Sequence, residues 1–459
     1  MAAIIGCAGC AKVGQRGERT ADGGGADTSS ESHPQPLPEP TVDFRPQQVK
    51  CDPRPPTSVS GTVFAPNGTF PLFNVIVFVP NARLDPFPAG VSCDRCGMIA
   101  SGKPIATTVS DSQGTFKIIN VPAGSNIPLV FQLGKWRREI ILPTVTACQD
   151  NPITDANLTR LPRNRQEGEL PRIAVTTGVC DQVGCLLPRL GIDLAELGVA
   201  GDDKAVAFYQ QVGIPDPSTT AKPPPDPFGP PNMRKSTELW NDEAELGRYD
   251  MTLLSSECGK ALYNKSDAAF AAMSNYLAKG GRILSTDLSY VWLRYSPDPA
   301  LAAVGVPNLG GPGDSPMILD TSFPKAKALA DWMKFVDPAV TYGQISSDRI
   351  FNNVESVMPT SARTWASSPT TWKPCQSGTC PRIITVNTPV GVPASNQCGR
   401  ALHLDFQVTN IVTSSNEPGA TFPQNCGAAD LGKNEEIAAF LFFDLASCIQ
   451  DDLLPIVTP

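Results

Sequence analysis

The side chains with the most chemical potential in this sequence are one cysteine and three carboxylates. Cys258-Gly259 follows a β-like stretch ending at Ser256, the position of a nucleophile on a tight strand-to-helix turn. Such a thiol needs a histidine base, and the chain has two histidines in all. His33 lies in a segment almost free of apolar residues, and His403 falls in the middle of an expected strand, so neither is placed to take the proton. Glu257, Asp287 and Asp405 each fall near the carboxyl end of an expected strand, where ligands bind in open α/β sheets. With Gln407 they could line a polar pocket for a sugar or a cation, and Tyr290, Trp292 and Tyr295 offer rings for stacking. Each carboxylate alone also reads as a cap or loop residue, and the aromatic cluster as core, so no catalytic residue is assigned. Gly310-Gly311-Pro312-Gly313 lacks the Lys-Ser/Thr of a phosphate-binding loop.

Fourteen cysteines weigh on the same question. Cys93 and Cys96, Cys180 and Cys185, and Cys375 and Cys380 lie in close local pairs. A zinc site wants four converging ligands, often with histidine, and neither histidine is near a pair, so no metal and no cofactor is expected. The flanks of Cys93-Asp-Arg-Cys96 promise no helix to lower a thiol pKa, which favours a structural role over a redox one. Cys51, Cys93, Cys96, Cys148, Cys180, Cys185, Cys258, Cys375, Cys380, Cys398, Cys426 and Cys448 are therefore expected in disulfides of an oxidising compartment, with the connectivity open.

A chain of 459 residues with 41% hydrophobic content is long enough for two or three domains. The net charge of -8 argues against a nucleic-acid partner. No run approaches the ~20 apolar residues of a membrane helix. The 46 prolines imply long irregular connections, among them the stretch from Gly213 to Lys235.

At the amino terminus, Ile4-Ile5-Gly6-Cys7 resembles the lipobox of bacterial lipoproteins, which implies acylation of Cys7 and attachment to the cell envelope, at the outer membrane or in the periplasm. Residues 15 to 45 are rich in Gly, Ser, Glu, Asp and Pro, a composition that does not repay its ordering entropy, so residues 1–50 read as a lipid-anchored tether.

Residues 51–148 carry short alternating runs separated by turn signals, the pattern of an all-β sandwich. Ser60-Gly-Thr-Val63, Asn74-Val-Ile-Val77 and the stretch from Thr108 to Gly124 resemble the carboxypeptidase regulatory-like domain. The resemblance implies a prealbumin-like or immunoglobulin-like accessory module without catalytic residues. Lys135-Trp136-Arg137-Arg138 reads as a solvated, charge-guarded edge strand.

From about residue 165 the period changes to strands alternating with helices, the signature of a flavodoxin-like, doubly wound sheet in residues 165–336 and 396–459, with a β-rich insertion at 337–395. A helix is expected over Thr237–Gly247, another behind the cap Ser266, a third from Pro324, and a last one over Asn434–Cys448. Tyr249-Asp250, the run Tyr276-Leu-Ala-Lys-Gly-Gly-Arg282 and Gly399-Arg-Ala-Leu-His-Leu-Asp405 resemble the class I glutamine amidotransferase-like superfamily, nearest its ThuA-like branch. That resemblance implies histidines where this chain has Asp287 and Gln407. The expectation is a non-catalytic envelope lipoprotein whose degenerate α/β domain binds a protein or glycan partner. The alternatives are an envelope hydrolase or carbohydrate-modifying enzyme using the edge carboxylates, and a purely structural envelope protein.

Overall fold

The strands form three main sheets, two from residues 58–153 and one from residues 173–404. The computed structural model describes residues 43–178, 180–211, 228–307, 310–409, 421–426 and 430–455. Cys7, His33 and most of the proline-rich linker lie outside these.

Seven strands come first: β1 (Ser58–Thr62), β2 (Ile76–Val79), β3 (Ala106–Val109), β4 (Thr115–Ile119), β5 (Gly124–Leu133), β6 (Trp136–Val145) and β7 (Asp150–Ile153). They form a three-stranded sheet in the order β4-β1-β7 and a four-stranded sheet in the order β3-β2-β5-β6. The two sheets face each other: Phe116 of β4 meets Phe131 of β5 edge-on, ring centroids 5.7 Å apart. Burial alternates along β4, with Phe116 and Ile118 inward and Thr115, Lys117 and Ile119 outward.

The large sheet is built from β8 (Ile173–Thr176), β9 (Leu197–Val199), β10 (Val206–Gln210), β11 (Arg234–Lys235), β12 (Met251–Leu254) and β13 (Arg282–Thr286). After them come β14 (Gly305–Pro307), which pairs with β17 (Val354–Val357) in a two-stranded ribbon, and then β15 (Met317–Leu319), β16 (Gln344–Ile345), β18 (Arg363–Ser368), β19 (Cys380–Thr388) and β20 (Gly399–Leu404). The order is β11-β10-β8-β12-β13-β20-β19-β18-β15-β16, with β9 beside β10. Strands β10, β8, β12, β13 and β20 are mutually parallel, and in chain order they read 2-1-3-4-5, the flavodoxin-like doubly wound arrangement. From β20 outward every pairing is antiparallel, so the insertion extends the sheet instead of standing apart from it.

Adjacent residues of the parallel strands enter opposite cores, as a two-sided sheet requires: Ile173 and Val175 go one way and Ala174 the other. Three long helices cover these faces, α1 (Asp267–Ala278), α2 (Pro324–Val336) and α3 (Lys433–Ala446). Ser266 caps α1 by accepting from the Ala269 amide, and Gly280 ends it at φ +117°. Helix α3 is buried almost all round because it lies between the parallel sheet and the first seven strands. Its Phe440 stacks on Phe73, and its Phe443 packs beside Trp136. Trp332 of α2 meets Phe70 at 4.6 Å and donates its Nε1 hydrogen to the Pro71 carbonyl. One continuous core thus runs from Val59 to Ala446.

Two expectations are corrected. The helix over Thr237–Gly247 is two short turns, Ser236–Trp240 and Glu243–Leu246, because Asp242 turns its carboxylate onto the amides of Ala244 and Glu245 and restarts the helix. The Lys135–Arg138 stretch is not a solvated edge. Lys135, Trp136 and Arg137 are buried against the α/β body, where Lys135 pairs with Asp250 and Arg137 with Glu169. The charges that looked like edge protection are satisfied inside a junction that no local pattern announces.

Candidate functional site

The carboxyl ends of the parallel strands converge at one edge, and four acidic segments end there. After β8 the chain turns through Gly178 to Cys180 and Asp181; a Cβ at Gly178 would overlap the carbonyl oxygens of Ser256 and Asp181, so only glycine permits the approach. After β12 come Ser256, Glu257 and Cys258, after β13 Asp287, and after β20 Asp405. Asp287 and Cys258 both take left-handed backbone, at φ +48° and +62°, which turns the chain sharply off each strand.

Asp287 and Asp405 are brought together, and a residue of the insertion joins them. Asn353 Nδ2 donates to Asp287 Oδ1 at 2.8 Å and to Asp405 Oδ1 at 2.7 Å. The Asn353 amide donates to Asp405 Oδ2 at 2.9 Å, and Ser256 Oγ donates to Asp287 Oδ2 at 2.9 Å. Arg382 completes the set, its NH1 lying 3.2 Å from Asp405 Oδ2 with both side chains at 0% exposure. Burial pushes the Asp287 carboxyl up to about 6; the nearby Asp405 and Asp181 charges add to the rise, while the hydrogen bonds from Asn353 and Ser256 oppose it. Burial likewise raises Asp181, which accepts from the amides of Val408 and Thr409 and from Thr409 Oγ1.

His403 stands on β20 one residue pair before Asp405. Its Nδ1 lies 3.1 Å from Ser285 Oγ, while its Nε2 has no hydrogen-bond partner among the described residues and sits 3.8 Å from Asp405 Oδ1. Over this edge runs a strap, residues 349–353. Ile350 bridges Phe406, the Phe351 amide donates to the Asp405 carbonyl, and Gln407 exchanges contacts with Arg349 through its amide and its Oε1. Gln407 therefore holds the strap, and 5% of its surface is exposed.

Glu257 is placed apart from the pair. It forms a buried ion pair with Lys265 and accepts from Asn264 Nδ2. The Lys265 ammonium lies 5.0 Å from the Trp240 ring and 5.4 Å from the Trp292 ring. Trp292 itself is core, packed against Trp240 and Phe270, and offers no stacking face. Tyr290 is nearly buried, and burial raises its hydroxyl pKa. Tyr295, at 43% exposure, is the one ring of the three that reaches solvent.

All twelve cysteines expected in disulfides are paired, as Cys51–Cys148, Cys93–Cys398, Cys96–Cys448, Cys180–Cys258, Cys185–Cys426 and Cys375–Cys380. Of the three local pairs only Cys375 and Cys380 join each other; the others reach across the fold. Cys258, the nucleophile candidate, is bonded to Cys180 at the end of the neighbouring strand. Six disulfides belong to a protein of an oxidising compartment. Among the described residues no group of three or more His, Cys, Asp or Glu is arranged to hold a metal ion, and no helix is long and apolar enough to cross a membrane.

The sequence alone does not single out Asp181, Asn353, Ser256 or Arg382 as site residues. Asp181 had a signal, following a strand and a glycine. Asn353 had none, because its insertion is distant in sequence and irregular.

No protein-family description matches the sequence, and no curated protein matches it. Among solved structures, a protein described as ThuA-like from Bacteroides uniformis aligns at 10% identity over 59% of this chain and 89% of its own, with a TM-score of 0.30. Two interface mutants of a type II cohesin–X-dockerin complex from Acetivibrio cellulolyticus also align. The first does so at 16% identity over 31% of this chain and 75% of its own (TM-score 0.16), the second at 20% over 30% and 85% (TM-score 0.17). The flavodoxin-like arrangement follows from the strand order 2-1-3-4-5 itself.

Proposed function

We propose that this chain is a non-catalytic, lipid-anchored protein of the bacterial cell envelope that binds a protein or glycan partner. In this reading Cys7 carries the anchor, the first seven strands are an accessory sandwich of carboxypeptidase regulatory-like type, and the α/β body is a degenerate ThuA-like domain. The observation that carries it is the Cys180–Cys258 disulfide, which removes the candidate nucleophile, beside edge carboxylates already engaged by Asn353, Ser256 and Arg382. A site built for turnover keeps its reacting groups accessible to substrate. The test is to assay the purified full chain against ester, amide and glycoside substrates, alongside Asp287→Asn and Asp405→Asn. No turnover supports the reading; turnover lost in both variants overturns it. Mass analysis from the native host tests the anchor, which requires an acyl-sized increment on Cys7.

A second reading, a hydrolase working through carboxylates, is favoured by one observation. Burial pushes the Asp287 carboxyl up to about 6, within reach of proton exchange near neutral pH, and it shares Asn353 with a second carboxylate, Asp405. It requires the strap to lift from the edge.

A further inference from the structure

Of the six tryptophans, five are core residues at 2% exposure or less, while Trp372 is 55% exposed. So large a ring in water forgoes the free energy of burial. It is also firmly held. Thr370 Oγ1 lies 2.9 Å from the carbonyl oxygens of Pro312 and Trp372, and it accepts from the Trp372 amide at 3.2 Å. Asn352 Nδ2 donates to the carbonyls of Trp372 and Lys373, at 3.3 and 3.0 Å. Asp314 Oδ2 accepts from the Thr371 amide at 2.8 Å, and the buried Cys375 is bonded to Cys380 just beyond. The indole lies against main chain: a Cβ at Gly311 would overlap its Cδ1 and Nε1. The loop is continuous with the strap, since Asn352 adjoins the Asn353 that joins Asp287 to Asp405.

The surroundings of the ring select its occupant. Across residues 310–314, 349–353 and 370–380 no other large apolar side chain is exposed. A protein partner calls for a broad patch, about 800 Å² a side, with an apolar centre. One flat apolar ring framed by polar groups matches a single sugar ring instead. Thr371 and Gln376 are exposed on the same loop, and among the described residues their side chains take no hydrogen-bond partner. A β-linked, gluco-configured pyranose carries its hydroxyls equatorially. Its faces therefore present C–H bonds to the electron-rich face of an indole, and its hydroxyls point outward to polar neighbours.

We propose that Trp372 is the stacking platform of a glycan-binding surface, which takes a β-linked, gluco-configured chain across residues 370–376. The indole bears one sugar face, and Thr371 and Gln376 take the hydroxyls. Because Thr370, Asn352, Asp314 and the Cys375–Cys380 bond already fix the loop, little ordering entropy is lost on binding. The inference rests on the binding role proposed above and names the glycan as the partner. The surface does not use the buried carboxylates, which lie behind the strap.

The experiment uses the full chain with cellohexaose and chitohexaose. Acrylamide quenches exposed indoles, so with five tryptophans buried the quenchable fluorescence reports Trp372. At least one hexasaccharide is expected to shield it. Calorimetry should show binding that falls by about tenfold or more in Trp372→Ala and partly returns in Trp372→Tyr. Thr371→Ala with Gln376→Ala, two exposed positions, should weaken binding without touching the ring. Thermal melting of each variant establishes that it is folded. Binding of neither hexasaccharide, no shielding of the quenchable indole, or binding unchanged in Trp372→Ala each overturns the proposal. A reducing-sugar assay on the same mixtures separates the two readings. Shielding with hydrolysis keeps the glycan surface and overturns the non-catalytic role; neither shielding nor hydrolysis overturns the glycan surface and leaves that role standing.

Discussion

Asp287 and Asp405 are tied through a single nitrogen: Asn353 Nδ2 reaches Oδ1 of the first at 2.8 Å and Oδ1 of the second at 2.7 Å. Two carboxylates on neighbouring strands thereby depend on one amide from the insertion, and the cost of removing any member follows.

Asp287 sets a pH dependence of stability. Its ordinary value of 3.8 is raised to about 6 in the fold, so the folded state favours the protonated form. The penalty for burying the charge is fully present above about 6 and gone below about 4, and stability from this group rises as pH falls through that window. A shift of about two units corresponds to roughly 3 kcal/mol. Urea midpoints measured from pH 4 to pH 8 should show Asp287→Asn more stable than the native chain at pH 7, with the gap closing by pH 4. An equal gap at every pH would remove the assignment.

Removing the shared amide has the opposite effect. Asn353→Ala leaves Asp287 Oδ1 and Asp405 Oδ1 buried without their common donor, a loss of about 3 kcal/mol or more at pH 7. The loss should shrink at pH 4, where Asp287 is protonated. Tryptic cleavage at Arg349 should also quicken, because the strap loses its anchor; a cleavage rate matching the native chain would show that Phe351 and Gln407 hold it unaided.

The junction between the first sheets and the α/β body has one buried ion pair to probe. Lys135 Nζ donates to Asp250 Oδ1 and to the Gly90 carbonyl, while Asp250 Oδ2 accepts from the Arg172 amide. Lys135→Ala strands the carboxylate and should destabilise by about 3 kcal/mol or more. Lys135→Met combined with Asp250→Asn should recover most of that loss in denaturant midpoints.

Cys258 should behave as a staple. Cys180→Ser with Cys258→Ser releases a crosslink spanning 78 residues, an entropic loss of up to about 4 kcal/mol. Thiol titration of the unfolded, unreduced chain should find none of the twelve paired cysteines reactive. A reactive Cys258 would put nucleophilic chemistry back in play.

What could be read from sequence divides along locality. Helix α1 was legible because Ser266 and Gly280 bracket a single apolar stripe, and β4 because the turn signals Asp111 to Gly114 and Pro122 to Gly124 bracket a short β-prone run. The strand-end positions of Asp287 and Asp405 followed from the same patterns. Illegible were the partners that arrive from far along the chain. Asn353 reaches Asp287 across 66 residues, and Lys135 reaches Asp250 across 115. Nothing in the local period of either segment encodes such a meeting. Trp292 allowed two readings, a stacking face or core, and its packing against Trp240 and Phe270 makes it core.

The bonds Cys93–Cys398 and Cys96–Cys448 span 305 and 352 residues. As the chain is made, Cys93 and Cys96 emerge long before their partners, three positions apart and free to join the wrong thiol. The finished molecule can be sealed only after nearly the whole chain has been made, so a molecule truncated before Cys448 keeps an unmatched thiol at Cys96. Both bonds therefore need Cys398 and Cys448 in place, and the loop carrying Cys93 and Cys96 stays unfastened in any shorter molecule.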